Sequence, residues 1–134
     1  ETGLSCGHSD MRDIIENAAK GDENCAFAID AFVYSLLKTI GSYVAVLGGV
    51  DALIFTAGIG ENASLVREKL CARLAYLGIE LDGEKNRARP APAEISAPQS
   101  KVKVYVIPAN EELMIASETF ALLDELAETE PLAV

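Results

Sequence analysis

Residues 51–62, with the sequence DALIFTAGIGEN, constrain the fold of this chain more than any other stretch. The apolar run Ala52–Thr56 is short, rich in branched and aromatic side chains and flanked by glycines, which predicts a central strand of a sheet covered on both faces. Two glycines follow it, and glycine permits a positive φ and a close approach of the backbone to a ligand. A helix that begins after them, capped by Asn62 or Ser64, directs unpaired N–H groups toward an anion. The stretch therefore predicts a nucleotide site.

A second strand and a second turn complete the predicted layout. Residues 101–107 alternate into a strand that begins exposed and ends buried, and Asn110 then caps a final helix from Glu111 to about Glu128. This order indicates an α/β fold with a parallel pair of core strands and flanking helices. Turns that follow parallel strands open at the same carboxyl edge, so we expect residues 58–62 and 110–112 to be neighbours. The apolar residues expected on the inner side of the final helix are Leu113, Met114, Ala116, Phe120, Leu123 and Leu126.

Three further helices are predicted from capping residues and apolar spacing. A short helix runs from about Asp10 to Ala19. A long helix runs from its cap Asp22 to about Leu47 and is apolar around most of its circumference, so it needs cover from the sheet and from either a missing part of the chain or a partner subunit. A third runs from Ser64 to Leu77, and residues 83–99 are expected to be surface loop. The charged residues expected on the solvent side of the third helix are Arg67, Glu68, Lys69 and Arg73.

The charge balance of the chain excludes some classes of partner. Its 134 residues carry a net charge of −10 and half of them are apolar, which predicts one globular domain. Basic residues are scattered rather than clustered, which argues against nucleic acid and against an anionic membrane surface as partners. So acidic a chain should repel nucleotide phosphates unless a divalent metal and cationic side chains intervene. Either the acidic residues lie away from the site or further cations come from outside this chain.

The cysteines point to a reducing compartment. Cys6, Cys25 and Cys71 are widely spaced and odd in number, as expected of buried thiols rather than of a disulfide framework. The first residues lack the pattern of a secretory signal, and the most apolar window, residues 40–60, is broken by glycines and an aspartate. We therefore expect a cytoplasmic protein. Cys6 and His8 form half of a metal site at most, and a loop histidine is the alternative interpretation.

Two charged side chains have both a functional and an ordinary interpretation. Arg12 lies in the first turn of its helix, where a cation is electrostatically unfavourable, which suggests an anionic or aromatic partner. An exposed arginine of no special role is the alternative. Glu111 begins the final helix beside the glycine turn, where a carboxylate suits Mg²⁺. Acidic residues are also favoured in a first helical turn by the helix dipole alone.

A different nucleotide motif competes for the same residues. Gly58-x-Gly60-x-x-Ala63 after a strand matches the relaxed dinucleotide fingerprint, and Asp82 lies near the spacing of the ribose-binding acid in that fold. Glu61 speaks against this interpretation because it places a negative charge in the loop that wraps the pyrophosphate. No Gly-Lys-Ser/Thr follows, which excludes a P-loop.

Five blocks of sequence together resemble the C-terminal portion of the acetate kinase family. They are SDMRD at 9–13, GGVD at 48–51, FTAGIGEN at 55–62, LGIELD at 77–82 and VIPANEELMI at 106–115. The resemblance spans nearly the whole chain in the family's order. It implies the actin-like, ribonuclease H-like ATPase fold shared by acetate and sugar kinases, Hsp70 and actin. It also implies reversible phosphoryl transfer between ATP and acetate, giving acetyl phosphate and ADP.

The resemblance assigns site residues position by position. The adenosine-binding segment of the family corresponds to Asp10, Met11 and Arg12, and its magnesium ligand to Glu111. Its second nucleotide loop corresponds to Gly58, Ile59, Gly60, Glu61 and Asn62. The implied cofactors are ATP or ADP with Mg²⁺ or Mn²⁺, and the implied assembly is a homodimer through this portion. Ala109 departs from the threonine that many members carry.

The family is roughly three times longer than this chain, and its front part carries the remaining catalytic groups. We therefore expect residues 1–134 to be an incomplete C-terminal nucleotide-binding domain that lacks the N-terminal domain, contains no catalytic residue and is inactive alone. In a full-length enzyme its partners are a nucleotide and a short-chain carboxylate. The same portion of a propionate or butyrate kinase, and a non-catalytic nucleotide-binding or dimerisation module, remain as alternatives.

Overall fold

The computed structural model describes residues 6–88 and 92–129, with side chains of the last helix described through residue 124. Helices α1 (Met11–Ala19) and α2 (Glu23–Leu47) come first, followed by strand β1 (Ala52–Phe55). Helices α3 (Ala57–Asn62) and α4 (Ser64–Arg73), a 3₁₀ turn (Ala75–Leu77) and helix α5 (Gly83–Arg87) follow. Strands β2 (Ala93–Glu94) and β3 (Lys103–Val106) precede helix α6 (Glu111–Thr129). The architecture is α/β, as predicted.

The sheet has the order β1-β3-β2 and contains the expected parallel pair. β1 and β3 are parallel in the register Leu53 to Val104 and Phe55 to Val106, and β2 is antiparallel to β3. Because side chains alternate along a strand, these four apolar residues share one face of the sheet. Ile54 lies on the opposite face and is 54% exposed, so the predicted cover on both faces is wrong for this part of β1.

The core lies between one face of the sheet and the helices that pack on it. α1 packs on α2, and α2 packs on α4. Asp22 caps α2 by accepting hydrogen bonds from the backbone N–H groups of Asn24 and Cys25, and Gly48 ends the helix in the left-handed conformation, with φ 73°. By length and composition α2 alone among the described helices is apolar enough to cross a membrane, a test that core helices of globular proteins also pass. Its buried residues are Cys25, Ala28, Ile29 and Val33.

Several elements differ from the prediction, α5 and α6 among them. Residues 83–87 form α5 rather than loop, because the Asp82 side chain accepts from the N–H groups of Glu84 and Lys85 and caps a helical turn. α6 begins at Glu111 as predicted, but every side chain described along it is exposed. The prediction that α6 has a buried inner side is therefore wrong for residues 111–124. Leu126 lies outside the described side chains. The exposed apolar residues include Leu113, Met114, Phe120 and Leu123.

Candidate functional site

The turns after β1 and β3 meet at the carboxyl edge of the sheet, as the parallel pairing requires. Between them lies an open cleft of about 470 Å³, here named the edge cleft. The first turn contributes residues 57, 58 and 61, and the second contributes residues 109–112. The predicted neighbourhood of residues 58–62, here named the glycine segment, and the start of α6 is confirmed.

One hydrogen bond joins the two turns directly. The backbone N–H of Ala109 donates to Oε1 of Glu61 at 2.9 Å, across 48 positions of sequence. A charged acceptor makes this bond stronger than one between neutral groups. The Glu61 carboxylate is thereby held at the rim that both turns share.

The edge cleft is rich in oxygen donors. Glu61, Glu111 and Glu112 contribute carboxylates, and Asn110 contributes an amide oxygen. Mg²⁺ in nucleotide sites commonly takes one or two carboxylates and completes its shell with water and phosphate oxygens. No cluster of three or more His, Cys, Asp or Glu side chains is arranged around a common point in the described parts of the chain. The donor set fits a cation shared with a phosphate ligand rather than one held by protein alone.

A second cleft adjoins the first and is here named the α1 cleft. Its volume is about 540 Å³, and it is lined from one side by residues 9–12 and 15 and from the other by residues 58, 59, 62 and 63. Met11, Ile15 and Ile59 give it apolar walls. Gly58 lines both clefts. Residues predicted for the adenosine segment and residues of the glycine segment thus enclose one space.

Asp10 and Arg12 form a local ion pair at the rim of the α1 cleft. The guanidinium donates from Nε to Oδ1 at 3.1 Å and from a terminal nitrogen to Oδ2 at 2.6 Å, and Asp10 also caps α1 through the Arg12 N–H at 2.8 Å. These hydrogen bonds from Arg12 lower the pKa of Asp10 to about 2. The Arg12 side chain remains 84% exposed. The expected anionic partner of Arg12 is therefore its own helix cap, which orients the guanidinium and leaves most of its surface accessible.

The glycine segment is a short helix rather than an extended loop. Thr56 precedes α3 and Ala63 separates it from α4, so neither Asn62 nor Ser64 provides the predicted cap. Asn62 instead donates from its side chain to the Gly58 carbonyl at 2.9 Å.

Positive φ falls at Ala57, with a value of 59°, and not at Gly58 or Gly60. Gly60 instead packs closely against strand β1, because a Cβ there would lie 3.2 Å from the carbonyl carbon of Phe55. A Cβ at Gly58 would meet no other atom within 4 Å.

The structure also bears on the competing motifs. Asp82 uses its carboxylate to cap α5 and lies outside both clefts, which removes its proposed role on a ribose. His8 Nε2 lies 3.3 Å from Asn17 Nδ2, consistent with a loop histidine. All three cysteines are free thiols. Contact with the Cys6 thiol and burial raise the pKa of Cys25 to about 12, and burial raises that of Cys71 to about 12.

One polar residue that supports the glycine segment does not lie where its charge predicts. Arg67 was expected in solvent, but it is 2% exposed and donates hydrogen bonds to the carbonyls of Gly60 and Glu61. The spacing of small and apolar residues along α4 indicates that this position is buried. Buried positions along α4 and its flanks recur at residues 63, 66, 67, 70, 71 and 74, which is the stripe of a core-facing helix once alanine and cysteine are counted as apolar.

Comparison with solved structures places this architecture among carboxylate kinases. The chain is similar to Porphyromonas gingivalis acetate kinase, with a TM-score of 0.81 and 41% identity over 91% of this chain and 31% of that one. It is also similar to a propionate kinase from Francisella tularensis subsp. tularensis SCHU S4, with a TM-score of 0.78 and 42% identity over 87% of this chain and 29% of that one. The fold is that of the C-terminal part of an actin-like ATPase domain.

Sequence comparison then gives the family. The acetokinase family model matches residues 2–117, so this chain belongs to the acetokinase family. It is 52% identical over 121 residues to the acetate kinase of Heliobacterium modesticaldum and 53% identical over 121 residues to that of Carboxydothermus hydrogenoformans. In both cases the matched region is 90% of this chain and 30% of the relative. The chain thus spans about 30% of the length of these relatives, and the resemblance read from the sequence is confirmed.

Proposed function

We propose that this chain is the C-terminal nucleotide-binding portion of an acetate kinase, and that it binds ATP or ADP together with Mg²⁺ or Mn²⁺. One observation carries the proposal. Gly58 lines both clefts, so the segment that resembles the family's adenosine site and the carboxylate that resembles its metal ligand lie on two sides of a single glycine. A ligand with an aromatic base at one end and a metal-bound phosphate chain at the other fits that arrangement.

The α1 cleft suits the adenosine end. Its apolar walls, formed by Met11, Ile15 and Ile59, can bury the faces of a planar ring. Arg12 is fixed by its ion pair with Asp10 and keeps its guanidinium exposed beside the cleft, which allows it to stack on a base.

The edge cleft suits the phosphate end. Glu111 would hold the cation, with Glu61 already tied to the Ala109 N–H and therefore directed along the rim. When bound, the divalent cation neutralises charge on the phosphate oxygens. Without it, the carboxylates of the edge cleft repel a nucleotide. This accounts for how so acidic a chain accommodates a polyphosphate.

The proposed reaction of the full-length enzyme is reversible transfer of the γ-phosphoryl group of ATP to acetate, giving acetyl phosphate and ADP. Similarity to a propionate kinase structure keeps propionate, and with it butyrate, as the alternative acceptor. Phosphoryl transfer depends on positioning and charge neutralisation, and the matched region is 30% of the relatives' length. We propose that the other 70% supplies the acyl site and the remaining cations, and that the 134 residues alone bind nucleotide without turnover. We place the enzyme in the cytoplasm and propose neither nucleic acid nor a membrane as a partner.

Titration calorimetry of the 134-residue chain with ADP, with and without Mg²⁺, tests the binding proposal. Wild-type chain should bind ADP more tightly with Mg²⁺ than without it. Arg12→Ala should weaken both affinities, whereas Glu111→Gln should remove most of the Mg²⁺ enhancement and leave metal-free binding unchanged. Arg73→Ala, an exposed arginine outside both clefts, serves as the matched control. Equal loss of affinity in the Arg73 and Arg12 variants contradicts the assignment of the α1 cleft.

A second proposal concerns assembly, and the exposed side of α2 favours it. Phe27 and Tyr34, which are seven positions apart and therefore lie on one side of that helix, are 67% and 56% exposed. Large apolar side chains exposed together are typical of protein interfaces. We propose that the full-length protein is a homodimer that uses this side of α2. Light scattering of the full-length protein and of its Tyr34→Glu variant distinguishes the two states, since a monomer in both contradicts the proposed dimer.

A further inference from the structure

The structure contains a buried cation next to the glycine segment. Arg67, in α4, is 2% exposed and is absent from the lining of both the edge cleft and the α1 cleft. One terminal nitrogen of its guanidinium donates to the Gly60 carbonyl at 2.7 Å and to the Glu61 carbonyl at 2.9 Å. Arg67 therefore contacts the backbone of the segment without lining either cleft.

These carbonyls belong to the last turn of α3, where the backbone lacks hydrogen-bond donors. The last carbonyls of any helix have no partner within the helix and must be satisfied from outside. α3 has only six residues, Ala57–Asn62, so backbone hydrogen bonds within it can supply little stability. The Arg67 guanidinium satisfies two of its terminal carbonyls and carries a positive charge at the helix end where a cation is favourable.

The other edge of the guanidinium is fixed in turn. Its Nε donates to the Asn86 side-chain oxygen at 2.7 Å, and its second terminal nitrogen donates to the Asn86 carbonyl at 2.7 Å. Asn86 is 1% exposed, and its amide donates to the Ser64 carbonyl at 3.0 Å. Asn86 belongs to α5, whose first turn is capped by Asp82. Arg67 is thus held in one orientation by a helix that lines neither cleft.

We infer that Arg67 is a positioning residue for the nucleotide segment. It sets the path of α3 through the carbonyls of Gly60 and Glu61, and thereby places Gly58 and the Glu61 carboxylate at the two clefts. The inference rests on the proposed nucleotide function for its consequence, but the effect on α3 can be measured without any nucleotide. This role requires the planar guanidinium of arginine. A lysine at the same position has a single ammonium group and cannot reach both α3 and Asn86.

The competing explanation is that Arg67 only stabilises the core. A matched control separates the two, since Leu74 is 1% exposed, lies seven positions after Arg67 on the same face, and has no side-chain donor for a hydrogen bond to α3. Leu74→Ala therefore loosens the core near α4 without removing a donor from the glycine segment.

The experiment compares wild type, Arg67→Lys and Leu74→Ala in the 134-residue chain. Amide hydrogen exchange is followed in peptides covering residues 57–63, and the Kd for ADP with Mg²⁺ is measured at urea concentrations that give equal folded fractions. For Arg67→Lys we expect faster exchange confined to residues 57–63 and roughly tenfold weaker ADP binding, since small misplacements of a binding group cost this much or more. For Leu74→Ala we expect exchange to rise throughout the core in proportion to lost stability, with Kd within about twofold of wild type at equal folded fraction.

Each outcome decides a separate question. Unchanged exchange at residues 57–63 in Arg67→Lys, or equal selective loosening in Leu74→Ala, overturns the positioning role. Wild-type chain that fails to bind ADP overturns the proposed function, while the exchange comparison still decides the role of Arg67. If Arg67→Lys does not fold, Asn86→Ala removes the acceptor that orients the guanidinium. The same selective loosening of residues 57–63 is then expected, and its absence overturns the inference.

Discussion

The two glycines of α3 should respond in opposite ways to the same substitution. At Gly60 an added Cβ lies 3.2 Å from the carbonyl carbon of Phe55 and 3.5 Å from its Cα, so strand and helix must separate by a few tenths of an ångström. Overpacking of this kind costs about 1–3 kcal/mol. At Gly58 the added Cβ meets no other atom within 4 Å, and replacing glycine by alanine inside a helix gains roughly 0.5–1 kcal/mol.

Urea denaturation followed by circular dichroism measures the difference. Both substitutions gain the same helix preference, so the free energy of unfolding of Gly58→Ala should exceed that of Gly60→Ala by about 1–3 kcal/mol, the overpacking cost alone. Gly58→Ala should in addition weaken ADP binding while remaining fully folded, because Gly58 lines both clefts. Equal stability of the two variants would refute the argument from the Phe55 contact. Unchanged ADP affinity in Gly58→Ala would refute the proposal that the bound nucleotide passes Gly58 between the two clefts.

Three further predictions follow from single observations. Ala57→Gly should raise the free energy of unfolding by up to roughly 1 kcal/mol in the same urea assay, because Ala57 holds φ 59°, a conformation that costs an L-residue about 1–2 kcal/mol. The Asp10 carboxylate should remain ionised as acid is added until the pH falls through about 2, seen as its carboxyl ¹³C shift in NMR, and Arg12→Ala should return its pKa toward the ordinary value. Its contribution to stability is therefore present above its unfolded pKa and is lost as the pH falls through its lowered folded pKa. Cys71 should resist iodoacetamide at pH 8 in the folded chain and react after denaturation, as mass spectrometry would report, because burial raises its pKa to about 12.

The parallel strand pair and the edge where its turns meet could be predicted from the sequence. Both depend on short apolar runs followed by turn residues, and these patterns are local. Ala52–Phe55 and Lys103–Val106 are the observed strands, within a few residues of the predicted limits. The candidate site followed from this pairing, since strand direction alone decides which turns become neighbours.

The errors arose where burial depends on distant parts of the chain. The apolar spacing of α6 is that of a helix with an inner side, yet its described side chains are exposed, because nothing in the described residues covers them. The charge of Arg67 predicts a position in solvent, but its donors are satisfied by Asn86 and by α3, which allows it to be buried. Positive φ was expected at a glycine and occurs at Ala57, since the turn into α3 precedes both glycines.

The register of β1 with β3 has a consequence for how the chain assembles and melts. Phe55 and Val106 are partners, so the chain between the two strands must be closed into a long loop before their turns can face each other. Bringing such distant strands together costs conformational entropy that local contacts do not offset. We therefore expect this edge of the sheet to form late in folding. A molecule bound there would therefore protect the intervening helices as a unit, and its effect would appear as a rise in global unfolding temperature rather than as stiffening of one turn.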